Sequence, residues 1–239
     1  MTKYSIQVVG GSASTAFALD GHNSWPEQIA KLLPQSKVRH KHLNGLTFVR
    51  SINLLLEIPT ADILILHFGT SVGWPTAVVN LGHRFGLDLH NELSFHQPAE
   101  NYRGGLLTRL KKSIKLRVRN SIKYILFFLG LYRPRASFRE LEEQITTVLS
   151  LAFEKSSHII WIQHRSLEYS RIALERLIYR RYYKKILECL NNDKSPHLHV
   201  LEIDNDFLVP ENYKNDGIHL SEHGHHVMAR KILDALKDL

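Results

Sequence analysis

A short apolar run in the first third of the chain constrains the fold more than any other feature. Residues 62–68, DILILHF, are apolar almost without interruption and end at Gly69. A strand with one exposed face would alternate apolar and polar side chains, whereas this pattern is typical of a strand that is covered on both faces. Such strands belong to parallel sheets with helices on either side, so the run predicts an α/β fold.

Four further segments have strand character, and helical patterns separate them. The predicted strands are 4–9, 38–43, 158–163 and 197–203, and the predicted helices run from Ser24 to Pro34, 46–57, 137–156, 168–190 and 221–238. Strands that alternate with helices indicate a doubly wound parallel sheet. In such a sheet the binding site lies outside the carboxyl ends of the strands.

One stretch interrupts this alternation within what we interpret as a single domain spanning residues 1–239. The insertion covers about 76–135, and from Asn101 to Arg135 it holds ten Lys or Arg and no acidic residue. The net charge of the whole chain is +8, so this segment accounts for its basic character. Three interpretations remain open: a basic amphipathic lid over the site, peripheral membrane contact through residues 105–132, and nucleic-acid binding, the least favoured.

Composition narrows the class of protein further. With a single cysteine, Cys189, the chain has no intrachain disulfide and no cysteine-based zinc site. The N-terminal sequence MTKYSIQVVGG lacks the longer apolar core of a signal peptide. We therefore expect a cytoplasmic protein, with membrane association as an alternative, and we expect neither a cofactor nor a metal.

Residues at the two ends of the chain could together form a nucleophilic site. Ser12 follows two glycines after the first strand, and Asp216 and His219 precede the last helix. A serine hydroxyl needs a base to take its proton, and the base needs an orienting partner, roles that suit His219 and Asp216. The backbone N–H groups of Ser12 and Gly45 are candidate oxyanion donors. Ser14 is the alternative nucleophile.

Other residues lie at the same predicted edge of the sheet and are candidates for substrate contact. They lie at or directly after the ends of strands one, three and four and are Gly11, Gly69, Thr70, His67 and His164. For both histidines, a core position that contacts no substrate is the favoured alternative. The HGHH sequence at 223–226 matches no zinc-binding pattern on a helix.

Four blocks of this sequence resemble those of the SGNH (GDSL-type) hydrolases. They are GGSAS near the N-terminus, NGL after strand two, GTSVG after strand three and DGIHLSEHG near the C-terminus, and the resemblance spans the chain except for roughly 76–135. It implies a flavodoxin-like three-layer sandwich with strand order 2-1-3-4-5. It also implies that Ser12 is the nucleophile, Gly45 the oxyanion glycine, Asp216 the orienting acid and His219 the base.

Two positions depart from the family pattern. Gly11 replaces the aspartate of Gly-Asp-Ser, and Ser71 stands where an asparagine usually donates to the oxyanion. The GTSVGWP sequence is similar to a subfamily associated with bacterial surface polysaccharides. The resemblance thus implies a serine esterase acting on an O-acylated, or O-acetylated, saccharide. The alternatives are an acyltransferase in surface-polysaccharide synthesis and a catalytically weak binding or scaffold protein.

Overall fold

The computed structural model describes most of the chain outside the insertion. The described residues are 3–15, 23–69, 75–77, 117–118, 121–129, 132–134, 136–164, 173–203, 205–214 and 219–239. Three of the predicted site residues, Thr70, Ser71 and Asp216, lie outside these ranges.

Five parallel strands form the central sheet. They are β1 (Ser5–Gly10), β2 (Lys37–His42), β3 (Ala61–Phe68), β6 (Ser156–Gln163) and β7 (Leu198–Glu202). Their spatial order is β2-β1-β3-β6-β7, so the five strands follow the order 2-1-3-4-5 along the chain. The predicted fold class is therefore confirmed.

Among the described residues, five helices of eight or more residues flank the sheet in two layers, apart from the helical residues 121–128. They are α1 (Trp25–Leu32), α2 (Phe48–Glu57), α3 (Phe138–Lys155), α4 (Ala173–Asn192) and α5 (Glu222–Ala235). One hydrophobic cluster joins the sheet to α2, α3 and α4, and a second joins its other face to α1 and α5. The alternating side chains of β3 enter both clusters, which explains the continuous apolar run in its sequence.

Side-chain caps set the starts of several helices. The Glu27 carboxylate accepts hydrogen bonds from the backbone N–H and the hydroxyl of Ser24 at the start of α1. Ser137 and Glu140 form a reciprocal capping box at the start of α3. Ser221 accepts a hydrogen bond from the N–H of Gly224 at the start of α5. These caps fix where each chain segment leaves the sheet edge and enters its helix.

A second, two-stranded sheet lies at the borders of the predicted insertion. β4 (Pro75–Ala77) pairs antiparallel with β5 (Tyr132–Pro134), and Ala77 is opposite Tyr132. The pairing holds the two ends of residues 78–131 together, close in sequence to the carboxyl end of β3. Of the residues between these strands, the structure describes 117–118 and 121–129, where 121–128 are helical.

Candidate active site

Ser12 lies on a tight turn that directly follows β1. The N–H of Gly11 donates to the carbonyl of His67 at 3.2 Å, which continues the β1–β3 pairing one residue past the strand. Ser12–Ser14 then form a single turn of 3-10 helix. The backbone N–H and the hydroxyl of Thr15 both donate to the Ser12 carbonyl, at 3.3 and 3.0 Å. The backbone of this turn is thereby fixed at the carboxyl edge of the sheet.

His219 reaches the same edge from the other end of the chain. The N–H of Lys214 donates to the His219 carbonyl at 2.8 Å, and Tyr213 pairs with Leu220 in an antiparallel bridge. Tyr213 and Leu220 are buried, so the residue that follows His219 and the strand partner of that residue are anchored in the core. The imidazole itself remains partly exposed.

The side chains of Ser12 and His219 are within hydrogen-bonding distance. The Nε2 atom of His219 lies 3.2 Å from the Oγ atom of Ser12, across 207 residues of sequence. Both side chains are partly exposed, so a ligand from solvent can reach them. A hydroxyl that donates to an unprotonated imidazole nitrogen is the arrangement that general-base activation of a serine requires.

The turn after β2 lies against the turn that carries Ser12. A Cβ atom built on Gly11 would be 3.5 Å from the Cβ of Leu46 and 3.9 Å from the carbonyl oxygen of Leu43. Gly45, between those two residues, has φ +64°, a conformation that favours glycine. The predicted oxyanion glycine is therefore on the turn adjacent to Gly11, and Gly69 follows β3 at the same edge.

Ser14, the alternative nucleophile, is buried, and its hydroxyl is bonded to the turn that carries it. It is fully buried, and its hydroxyl donates to the carbonyl of Gly11 at 2.7 Å. His40 of β2 is 3.2 Å from the same hydroxyl through Nε2. Because the Ser14 hydroxyl donates to a carbonyl, it accepts the His40 bond, which places the proton on Nε2. Burial, with a smaller effect of His42, lowers the His40 pKa to about 4.

His67 and His164 occupy the core positions that the sequence analysis favoured over contact with substrate. Both side chains are buried, with 0% and 1% of their surface exposed. Their rings pack against each other with centroids 5.4 Å apart, and His67 also contacts the ring of Trp25. Burial holds the pKa of His67 well below its usual value, with His164 and His225 adding to the effect. His67 is thus a neutral packing residue beneath the Ser12 turn, and both histidines belong to the core.

His225 is a residue of this site that the sequence analysis did not identify. Its Nδ1 accepts a hydrogen bond from the N–H of Trp25 at 3.3 Å. It therefore links α5 to α1, and the backbone of Thr15 on the Ser12 turn is close enough to influence its pKa. Burial, followed by the charge of Lys214, lowers its pKa to about 4. The HGHH sequence gave a partial indication, because His225 and His226 are consecutive on a helix and cannot both face the sheet.

In the described part of the chain, no three His, Cys, Asp or Glu side chains come close enough together to hold a metal ion. The histidines near Ser12 instead bond to hydroxyl and backbone groups or pack against other rings.

The chain matches known proteins in its structure and not in its overall sequence. No family model matches the chain, and no curated protein matches its sequence. Among solved structures, a lipolytic protein of the G-D-S-L family from Veillonella parvula superposes with a TM-score of 0.59 at 12% identity, covering 98% of this chain and 99% of that chain. The chain has the GDSL-type hydrolase fold.

Other structures with this fold carry related descriptions. A lipase/acylhydrolase from Enterococcus faecalis has a TM-score of 0.56 at 14% identity, with 98% of this chain and 96% of that chain covered. A catalytic mutant of an acetylxylan esterase from Geobacillus stearothermophilus has a TM-score of 0.55 at 15% identity, with coverage of 98% and 94%. The coverage indicates that the GDSL-type fold accounts for nearly the whole chain. At these sequence identities the likeness establishes the fold alone.

Proposed function

We propose that this protein is a serine esterase that acts through an acyl-Ser12 intermediate. The observation that carries the proposal is the 3.2 Å separation of Ser12 Oγ and His219 Nε2 at the carboxyl edge of a GDSL-type sheet. Ligands of open α/β sheets bind at this edge. The partly exposed pair is therefore positioned where an ester could reach it.

The reaction would proceed in two steps, acylation of Ser12 and hydrolysis of the acyl-serine. Ser12 Oγ attacks the acyl carbonyl and its proton passes to His219 Nε2; the alkoxide then leaves with that proton, and the acyl group stays on Ser12. Water attacks the acyl-serine next, His219 takes one proton from the water, and the acid is released as Ser12 regains its proton. In this scheme Asp216 holds the imidazole tautomer, a role assigned from its position in the DGIHL sequence.

Negative charge develops on the acyl oxygen in both steps and needs fixed donors. We assign this role to the backbone N–H groups of Ser12 and Gly45, with the Ser71 hydroxyl in place of the usual asparagine. Loss of one such donor lowers the rate by about 10² to 10³-fold in enzymes where it was measured. A serine at position 71 therefore favours a slower enzyme or one in which another donor substitutes for the asparagine.

For the substrate we propose an O-acylated saccharide, with acetyl as the acyl group. The support is twofold: the GTSVGWP sequence, and the presence of an acetylxylan esterase among the proteins that share this fold. A sugar hydroxyl could replace water in the second step, which would make the enzyme an acyltransferase in surface-polysaccharide synthesis. The alternative of a catalytically weak binding protein is disfavoured, because that role would not require a serine hydroxyl and an imidazole at 3.2 Å.

The test combines active-site labelling with turnover. The protein would be treated with a fluorophosphonate probe, and the labelled residue would be located by peptide mass spectrometry. Label on Ser12, together with a drop of at least about 10³-fold in hydrolysis of a small acetyl ester in Ser12→Ala, is expected. Circular dichroism would verify that the variant is folded.

Two results would refute the proposal: label at another residue, or unchanged turnover in Ser12→Ala. Products formed from acetylated xylo-oligosaccharides, with and without an unacetylated acceptor, would separate hydrolysis from transfer. Free acetate indicates an esterase, whereas an acetylated acceptor indicates a transferase.

A further inference from the structure

The helical residues 121–128 pack against the protein core on one side and are exposed to solvent on the other. Lys123 and Leu126 are 4% and 7% exposed, and Phe127 packs against the core cluster formed with α2, α3 and α4. Positions 123, 126 and 127 share one side of a helix because they are three and four residues apart. The helix is thus held to the body of the protein by this side.

The opposite side exposes large apolar groups to solvent. Phe128 is 83% exposed, Leu129 64%, Ile125 58% and Tyr124 38%. Elsewhere in the described chain, exposed large apolar residues are scattered over several helices, for example Leu32 on α1 and Leu177 on α4. We call residues 124, 125, 128 and 129 the apolar face. Contiguous exposed apolar groups of this kind mark interaction surfaces, whereas isolated ones are ordinary.

In the sequence, the segment that contains the apolar face carries charge of one sign only. Residues 101–135 contain ten Lys or Arg and no Asp or Glu, while the rest of the chain is close to balanced. Arg117, one of the ten, is exposed in the structure. A short helix that combines an apolar face with flanking cations suits the boundary between the headgroups and acyl chains of an anionic bilayer.

We propose that the apolar face of residues 121–129 binds peripherally to anionic phospholipid membranes. Its four apolar side chains enter the acyl boundary, and the exposed Arg117 of the same segment contacts the lipid phosphates. No helix in the described part of the chain is long and apolar enough to cross a bilayer, so the contact is interfacial. The binding does not depend on Ser12 and goes beyond the proposed esterase activity.

A second copy of the chain is a poorer occupant of this face. A symmetric dimer through it would bring two segments together, each with ten basic residues and no acidic residue. Like charges across an interface oppose association. An anionic lipid surface instead pairs the same cations with phosphates, and the charge of the segment therefore selects lipid.

The experiment is vesicle co-sedimentation of the full chain. Vesicles of phosphatidylcholine with about 30% phosphatidylglycerol would be compared with pure phosphatidylcholine, at low salt and at about 0.5 M salt. The test variant is Phe128→Ser with Leu129→Ser. The matched control is Val49→Ser with Leu56→Ser, which changes two apolar residues of α2 that are 54% and 59% exposed.

The wild type and the control should pellet with the anionic vesicles at low salt and much less at high salt. The partition coefficient of the test variant should be lower by a factor of about ten or more, because two large side chains no longer enter the lipid. Equal pelleting of the two double variants would overturn the proposal, as would equal binding to neutral vesicles. Lipid-free dimerisation that only the test variant abolishes would assign the face to a second copy instead. Ser12→Ala should bind like the wild type, so this proposal and the esterase proposal can fail separately.

Discussion

The carbonyl oxygen of Asn212 fills the space beside Gly224 that a side chain would need. A Cβ atom on Gly224 would lie 1.9 Å from that oxygen and 2.8 Å from the carbonyl carbon. The N–H of Ser221 donates to the same carbonyl at 3.0 Å. The first turn of α5 is therefore pressed against the segment that leads to His219. This close approach gives a physical reason for the glycine that ends the DGIHLSEHG block.

Gly224→Ala should consequently destabilise the protein and move His219. Neither the helix backbone nor the Asn212 carbonyl is a flexible group, so the clash shifts a main-chain segment and lowers the free energy of unfolding by about 3 kcal/mol or more. Esterase turnover should fall along with it. Urea denaturation checks the stability. The control is His223→Ala at the neighbouring exposed position, where a change above about 1 kcal/mol would count against this explanation.

Gly10 and Gly11 are adjacent yet should respond differently to the same substitution. A Cβ atom on Gly10 would lie 2.2 Å from the Ser14 hydroxyl oxygen and 2.6 Å from its Cβ, whereas on Gly11 the nearest atom is 3.5 Å away. Gly10→Ala should therefore displace the turn that carries Ser12, reducing acetyl-ester turnover at least about tenfold. Gly11→Ala should keep most of the activity. Comparable turnover in the two variants would show that Ser14 does not restrain the turn.

Strand and helix positions could largely be predicted from the sequence, because local patterns determine them. The apolar run of β3, the capping residues Ser137 and Glu140, and the cap at Ser221 each carry their information within a few residues. The strand order came from the resemblance to GDSL-type hydrolases, and the sheet has that order.

Contacts between distant segments could not be predicted in the same way. Helical spacing alone places His225 on the same face as Met228, Ala229 and Ile232, but its hydrogen bond to the N–H of Trp25 joins residues 200 positions apart, and no local pattern encodes that contact. His67 follows an alternation that places it on the α1 face of β3, beneath Trp25, yet its position at the strand end suggested substrate contact. The pairing of β4 with β5 was also missed, because each strand is only three residues long.

Gly45 should tolerate asparagine better than alanine. Its φ of +64° lies in the left-handed region, where a Cβ atom destabilises most residues by about 1 to 2 kcal/mol and asparagine less. No packing clash complicates the comparison, since the nearest atom to a Cβ would be an Arg50 guanidinium nitrogen at 3.7 Å. Thermal unfolding should rank the wild type first, Gly45→Asn second and Gly45→Ala third. The reverse order for the two variants would contradict a backbone origin.

The buried histidines should make stability depend on pH below neutrality. His225 has a folded-state pKa of about 4, below the ordinary value of 6.5, because burial and the charge of Lys214 disfavour its protonated form, while Glu27 opposes this. Between these two values the unfolded chain binds a proton that the folded chain does not, so the free energy of unfolding falls as the pH falls. The stabilisation is fully present above pH 6.5 and is lost towards pH 4. His40, with a similar pKa, acts in the same window.

His225→Gln should flatten this dependence. Each such histidine contributes a slope of about 1.4 kcal/mol per pH unit within the window, so removing one should reduce the slope by about that amount. Protonation of Nδ1 would also eliminate the bond from the Trp25 N–H, which ties the loss of stability to the α1–α5 contact. Urea denaturation at intervals from pH 4.5 to pH 7.5 measures the slope, with His223→Gln at an exposed position as the control. An unchanged slope in His225→Gln, or an equal reduction in the control, would show that the acid sensitivity arises elsewhere.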